Sequence, residues 1–174
     1  IISMQATFGA IYIIRDPRDV AVSAADHFGK TIDQMIAMMA DPLAMGMPMP
    51  GIIVHELQSS WSHHVESWTI WQHPSIIVVR YEDLLADPQD QFGRIARHFG
   101  ISKDPARIAR AIEHASFKQL QKMEADQGFV ERSIHSERFF RAGQSGGWRD
   151  KLTPDQVARI ESDHARQMKR YGYL

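Results

Sequence analysis

The stretch YIIRDPRDVAVS, residues 12–23, joins an apolar segment to a helix start through a charged turn. The run Gly9–Arg15 is short and rich in β-branched residues, which predicts a strand buried on both faces. Asp16 followed by Pro17 is typical of an N-cap with proline at the first helical position. Arg15 is therefore expected where a strand ends and a helix begins.

The same alternation recurs along the chain and predicts an α/β fold. Ser75–Tyr81 is a second apolar run, and Asp87 with Pro88 repeats the pattern of a helix start. Strands that alternate with helices favour a parallel sheet with flanking helices, here in a single domain over residues 1–174. Two strands are few for such a sheet, so we expect it to be incomplete.

Other segments are assigned from their local chemistry. Two capping boxes mark further helix starts, and they are Thr31 with Gln34 and Thr153 with Gln156. Pro42–Gly51, which carries three methionines, and the polar, glycine-containing Met123–Gly147 are expected to be loops.

Composition excludes several classes of protein. The chain has 174 residues, 44% of them hydrophobic, and a net charge of −1 from 20 basic and 21 acidic residues. This balance predicts neither nucleic acid nor a membrane surface as a partner, and no apolar run approaches the roughly 20 residues of a membrane span. The sequence has no cysteine, which excludes disulfides and thiolate metal sites and fits a cytoplasmic location.

Arg15 is the first candidate for binding an anion. A guanidinium at a strand end, beside the free N–H groups of a following helix, suits a phosphate. Ser23 lies seven residues after Asp16, on almost the same face of that helix, and can donate to the same anion. The simpler alternative pairs Arg15 with Asp19 and buries Ser23 for its small size.

The second candidate is FFRAGQSGGW, residues 139–148. Three glycines, at 143, 146 and 147, follow Arg141, so backbone N–H groups can approach an anion with a guanidinium alongside. Glycine-rich loops are often only turns. This loop is a stronger candidate for binding an anion because it occurs together with the Arg15 motif.

Four motifs taken in order resemble a known family. They are RDPRDVAVS, RYEDL, ASF and FFR-x-G-x-x-G-x-W, and they are similar to the C-terminal two-thirds of soluble sulfotransferases that use 3′-phosphoadenosine 5′-phosphosulfate (PAPS). The resemblance implies a P-loop-NTPase-like sulfotransferase fold, with PAPS as co-substrate and no metal. The family's opening strand and phosphate loop are absent from this chain, so we expect an N-terminally truncated domain.

The resemblance also implies roles for individual residues. Arg15 and Ser23 would bind the 3′-phosphate, and Arg141, with the backbone of Ala142 and Gly143, would close over it. Many family members have lysine at the position of Ala142, which weakens the expected charge there but preserves the backbone contact.

Three further residues would bind the adenine. Tyr81 would contact the base from the end of the second strand, and Phe117 would stack on it with Ser116 alongside. An aromatic face suits a purine. For Tyr81 and Phe117 the alternative is ordinary core packing.

No catalytic residue is predicted within this chain. The family's base is a histidine, and its phosphate loop carries a lysine; both are expected upstream. The residues before Arg15 include neither type, and the first of the nine histidines is His27. No two histidines have the i,i+4 spacing of a helical zinc site, so no metal ligand is predicted.

The implied reaction is sulfuryl transfer from PAPS to a hydroxyl or amine, with this chain supplying the 3′-phosphate and adenine site. The alternatives are a nucleotide kinase-like phosphate-loop enzyme and a non-catalytic nucleotide-binding module. The expected acceptor is a small hydroxyl compound, bound in part by the loops at 42–51 and 123–138. The family's dimerisation pattern is poorly matched, so no oligomeric state is predicted.

Overall fold

The computed structural model describes residues 8–46, 56–70, 73–101 and 104–174. The chain divides into two compact units, the first comprising Ile1–Arg15 and Trp71–Ser145 and the second Asp16–Ile70 and Gly146–Leu174. The elements in chain order are β1 (Ala10–Ile14), α1 (Pro17–His27), α2 (Ile32–Ala40), α3 (Trp61–Thr69), β2 (Ile76–Arg80), α4 (Tyr81–Ala86), α5 (Pro88–His98), α6 (Pro105–His114), α7 (Phe117–Gln127), a 3-10 turn (Gly147–Asp150) and α8 (Pro154–Arg170).

The first unit contains the predicted parallel sheet. β1 and β2 pair in parallel with a regular register that runs from Ala10 opposite Ile76 to Ile14 opposite Arg80. Within the described ranges the sheet consists of these two strands. The prediction of two parallel strands is confirmed, and each strand is one residue shorter at either end than its apolar run.

The burial of β1 differs from the prediction. Tyr12 and Ile14 are buried, whereas Ile11 is 44% exposed and Ile13 is 54% exposed. Alternate side chains of a strand point to opposite faces, so one face of β1 is covered and the other is not. An apolar run shows that a strand tolerates burial on both faces, but it does not show that another element covers each face.

The predicted helix starts are confirmed. Asp16 caps α1 by accepting the N–H of Arg18 at 2.9 Å, and Asp87 caps α5 by accepting the N–H of Asp90 at 3.0 Å. Both capping boxes form with both of their hydrogen bonds. These signals succeed because each involves residues within three positions of one another.

The structure corrects the sequence analysis at two segments. Tyr81 is the first residue of α4 and does not lie in the second strand. The predicted loop Met123–Gly147 begins five residues later than predicted, at Gly128, since α7 continues to Gln127, and Gly147 belongs to the 3-10 turn. Of the predicted loop Pro42–Gly51, residues 47–51 lie outside the described residues.

The second unit is a helical layer in which α8 packs against α1, α2 and α3. Its buried side chains include Ala21, Met35, Ile36, Val65, Ile160 and Met168. Of the helices that the structure describes, none has both the length and the apolar character needed to cross a membrane.

Arg18 is the central polar residue of this unit and is only 8% exposed. It donates to both carboxylate oxygens of Asp16, to Glu161 at 2.6 Å and to the carbonyl oxygen of Tyr173 at 2.8 Å. The guanidinium carbon also lies 4.2 Å from the centroid of the Trp148 ring. This one side chain therefore joins the start of α1, the middle of α8 and the end of the chain.

Candidate functional site

Arg15 follows β1 directly, in the first unit. One terminal nitrogen, Nη2, donates to the carbonyl oxygen of Gln144 at 2.9 Å, and the guanidinium carbon lies 4.6 Å from the centroid of the Tyr81 ring. Its Nε is buried, with no hydrogen-bond partner in the described part of the chain. A guanidinium held against an aromatic ring, with a buried N–H still able to donate, is suited to binding an anion.

Asp19 does not have the role that the simpler alternative gave it. In the second unit its carboxylate accepts the backbone N–H groups of Gly146 at 2.7 Å and of Trp148 at 3.1 Å. Asp19 therefore anchors the start of the 3-10 turn, which the sequence analysis did not predict. Two partners of this kind leave the carboxylate well satisfied without an arginine.

Gly143 lies on the ring of Phe117, the first residue of α7. A Cβ atom added at Gly143 would lie 2.5 Å from Phe117 Cγ and 2.7 Å from Cε2, and the φ angle of Gly143 is +57°. Both the close approach and the left-handed backbone require glycine at this position. The predicted glycine loop and the predicted aromatic residue are thus in direct contact.

The remaining predicted site residues differ in their exposure. Arg141 and Ala142 are exposed, and Ser116 is half-buried as the N-cap of α7, where its side chain makes no capping bond. Ser23 is half-buried in α1, in the second unit. The first unit therefore contains every predicted site residue except Ser23.

Two residues of α7 that contact the predicted site are not predicted from the sequence. Gln121 and Glu124 hydrogen-bond the backbone of the segment that leads into the glycine loop. The two residues are three positions apart, so they lie on one face of the helix. This pattern is present in the sequence, but it can be used only once α7 is recognised as a helix.

The buried histidine of the second unit has a structural role. His164 is 2% exposed, its Nδ1 lies 3.0 Å from Ser62 Oγ, and its ring centroid lies 5.3 Å from that of Trp61. Burial lowers the pKa of His164, although the negative charge of Asp163 opposes that shift. Over the described ranges, no group of three or more histidine and acidic residues could hold a metal ion.

Comparison with known proteins identifies the family to which the chain belongs. The family model described as "Sulfotransferase domain" matches residues 6–172, and the chain belongs to that family. Sulfotransferase 1A1 of Canis lupus familiaris is 27% identical over 173 residues, which cover 93% of this chain and 55% of that protein. Cytosolic sulfotransferase 17 of Arabidopsis thaliana is 27% identical over 94% of this chain and 50% of its own length.

Solved structures show the same fold. Mouse sulfotransferase SULT7A1 complexed with PAP superposes with a TM-score of 0.71 at 22% identity, over 92% of this chain and 58% of that chain. Retinol dehydratase in a complex with retinol and PAP superposes with a TM-score of 0.70 at 24% identity, over 92% of this chain and 48% of that one. The expected sulfotransferase fold is therefore confirmed.

The matched region is only part of the related proteins. The chain spans about half the length of the curated relatives described above.

Proposed function

We propose that the whole protein transfers a sulfuryl group from PAPS to a small acceptor, and that this chain binds the 3′-phosphoadenosine end of the co-substrate. One observation carries the proposal: Arg15 lies on the Tyr81 ring with its buried Nε able to donate, in the same unit that packs Gly143 on Phe117. Membership of the sulfotransferase family supports sulfuryl transfer as the reaction.

The proposed site has a phosphate end and a base end. At the phosphate end, Arg15 and Arg141 supply charge, and the backbone of Ala142 and Gly143 supplies N–H donors, as suits an anion held by a glycine-containing loop. Ser23 is assigned to the same phosphate by its spacing of eight residues from Arg15.

At the base end, Tyr81 and Phe117 provide aromatic faces for the adenine, with Ser116 alongside. Aromatic stacking recognises any base through its π-face, so the selectivity of the site for this nucleotide comes from the phosphate contacts.

The chemical step is proposed to be a direct in-line displacement at sulfur. A histidine upstream of this chain would deprotonate the acceptor hydroxyl or amine, and the nucleoside bisphosphate PAP (3′-phosphoadenosine 5′-phosphate) would leave. Such a step depends mainly on positioning and on positive charge around the leaving phosphate, which the family's lysine-bearing phosphate loop would supply, and the proposal includes no metal.

The acceptor is proposed to be a small hydroxyl compound. Structures of retinol dehydratase contain retinol in one case and androsterone in another, so a protein of this fold accommodates small molecules of that kind. The loop after α7 exposes Val130 and Ile134 almost completely, and these side chains are available to an apolar acceptor. A cytoplasmic location is proposed from relatives that are named cytosolic.

Binding measurements on the full-length protein test the function against its alternatives. We expect PAP to bind about ten-fold or more tightly than adenosine 5′-phosphate, because only PAP carries the 3′-phosphate. Labelled PAPS incubated with a panel of hydroxyl compounds should yield a sulfated product. Preference for ATP with Mg²⁺ would instead support the kinase alternative, and selective PAP binding without turnover on any acceptor would support the binding module.

Replacing Gly143 with alanine tests the contact between the loop and Phe117. The new methyl group would meet the aromatic ring and would strain a left-handed backbone, so the loop must move away from Phe117. We expect Gly143→Ala to weaken PAP binding by about ten-fold. Calorimetric titration with PAP measures this change.

Gly100→Ala is the matched control. Gly100 has a similar φ of +63°, but nothing lies within 4 Å of the added Cβ. This variant carries the backbone strain without the contact, and we expect it to leave PAP affinity unchanged. Equal effects of the two substitutions would show that general destabilisation, and not the Phe117 contact, is responsible.

A further inference from the structure

Side chains of helix α7 hydrogen-bond the backbone of residues 139–141, at the start of the glycine-containing stretch 139–148. Glu124 is 8% exposed, and its Oε1 accepts the N–H of Phe139 at 2.6 Å while its Oε2 accepts the N–H of Phe140 at 3.0 Å. One turn earlier, Gln121 Nε2 donates to the carbonyl oxygen of Phe140 at 2.9 Å and more weakly to that of Arg141 at 3.4 Å. Two side chains of one helix therefore hold three consecutive residues by their backbone.

The chemistry of this contact requires a carboxylate. Each N–H group is accepted by a different oxygen, and an ionised carboxyl provides two acceptor oxygens, whereas an amide has a donor nitrogen in place of one of them. The N–H of Phe139 lowers the pKa of Glu124, burial opposes this shift, and the N–H of Phe140 reinforces it. The positive charges of Arg132 and Arg138 act in the same direction as the N–H groups. The carboxyl is thus held in the charged form that accepts both bonds.

Helix α7 also contacts Gly143, two residues after Arg141. Phe117, in the first turn of α7, lies under Gly143, while Gln121 and Glu124 hold residues 139–141 from the following turns. A single rigid element thereby contacts both ends of the five-residue run 139–143. Sites supported by helices are held more closely than sites carried by free loops.

We propose that Glu124 is a positioning residue for the nucleotide: by fixing the N–H groups of Phe139 and Phe140, it places Arg141 and the Gly143 backbone for the 3′-phosphate. The inference rests on the proposed function. Glu124 itself does not touch the nucleotide. Its effect passes along the backbone, so it should alter recognition of the 3′-phosphate and leave recognition of the rest of the nucleotide intact.

The test compares Glu124→Gln with Asp126→Asn in the full-length protein. Asp126 is an exposed acid on the same helix, so its substitution removes one charge without touching the loop. Hydrogen exchange reports on the N–H groups of Phe139 and Phe140 directly, and calorimetry gives the affinities for PAP and for adenosine 5′-phosphate. Glu124→Asp, which keeps the carboxylate on a shorter side chain, is measured alongside.

We expect Glu124→Gln to speed exchange at both N–H groups and to weaken PAP binding by about ten-fold, the size of one lost charge-assisted bond, with adenosine 5′-phosphate changed by less than about two-fold. Glu124→Asp should recover part of the PAP affinity, and Asp126→Asn should change neither quantity. If Glu124→Gln proves too unstable to assay, Gln121→Ala should show the same selectivity for PAP with a smaller loss.

Failure of this inference can be distinguished from failure of the proposed function on which it rests. Faster exchange with unchanged PAP affinity, or an equal loss for both nucleotides, would make Glu124 a purely structural residue and overturn the inference alone. A wild-type protein that binds PAP no better than adenosine 5′-phosphate would overturn the proposed function, and this inference with it.

Discussion

Arg15→Ala in the full-length protein should weaken PAP binding by about ten- to a hundred-fold, because one charge-assisted contact to a phosphate contributes about 1.5–3 kcal/mol. Adenosine 5′-phosphate lacks the 3′-phosphate, so its affinity should hardly change. The buried Nε of Arg15 and its position on the Tyr81 ring support its role in binding an anion, and the expected selectivity follows from its proposed assignment to the 3′-phosphate. Calorimetric titration with the two nucleotides measures the difference.

Three further variants sharpen this comparison. Arg15→Lys should recover only part of the loss, since a lysine lacks the planar fork that both stacks on Tyr81 and donates from several nitrogens. Ser23→Ala should show the same selectivity with a smaller loss, because a neutral hydroxyl donates a weaker bond. Arg107→Ala removes an exposed arginine from α6 and should have no effect. An equal loss for both nucleotides in Arg15→Ala would mean that Arg15 only supports the backbone at Gln144.

Among the substitutions proposed for this protein, Arg18→Met should cause the largest loss of stability, about 3–5 kcal/mol in the free energy of unfolding. Methionine preserves most of the apolar stem but removes the guanidinium that pairs with the buried Asp16 carboxylate and donates to the Tyr173 carbonyl. Breaking a buried ion pair by removing one side costs far more than breaking a surface ion pair does. Urea denaturation followed by circular dichroism measures this change.

Arg166→Ala is the matched control in the same unit. Arg166 is paired with Glu66 at 3.1 Å, but its side chain is 82% exposed, so we expect a loss below about 1 kcal/mol. A loss in Arg18→Met no larger than that of Arg166→Ala would show that the network around Arg18 adds no net stability to the second unit.

Most of the fold follows from local patterns in the sequence. The two strands, the capped starts of α1 and α5 and both capping boxes are predicted from residues a few positions apart. Helix α7 is missed because its apolar residues are sparse, although lysine, glutamine, leucine, methionine and glutamate are all good helix formers. Propensity summed along Phe117–Gln127 is the signal that could have identified it.

The sequence predicts which residues belong to the candidate site, but it does not predict which of them contact one another. The motif pattern points to Arg15, Tyr81, Phe117 and Gly143, and the structure joins these residues as two contacting pairs. The burial of Glu124 is not predicted from the sequence, because a glutamate in a polar helix is more often exposed than buried. Its proposed role depends on which backbone N–H groups lie opposite it.

The sequence predicts the two strands and the capped helix starts, and it supplies the residues that are proposed to bind a phosphate. Each strand and each cap depends on backbone geometry and side-chain chemistry within a few positions, whereas the pairing of the two strands joins distant residues such as Ala10 and Ile76 and is predicted from the alternation of strands and helices. Two contacts are visible only in the folded chain: Arg15 binds the carbonyl of Gln144, 129 residues away, and Glu124 binds N–H groups 15 and 16 residues away. Neither partner is recognisable in sequence, because every residue except proline offers the same backbone N–H and carbonyl groups, and only folding selects which of them a side chain meets.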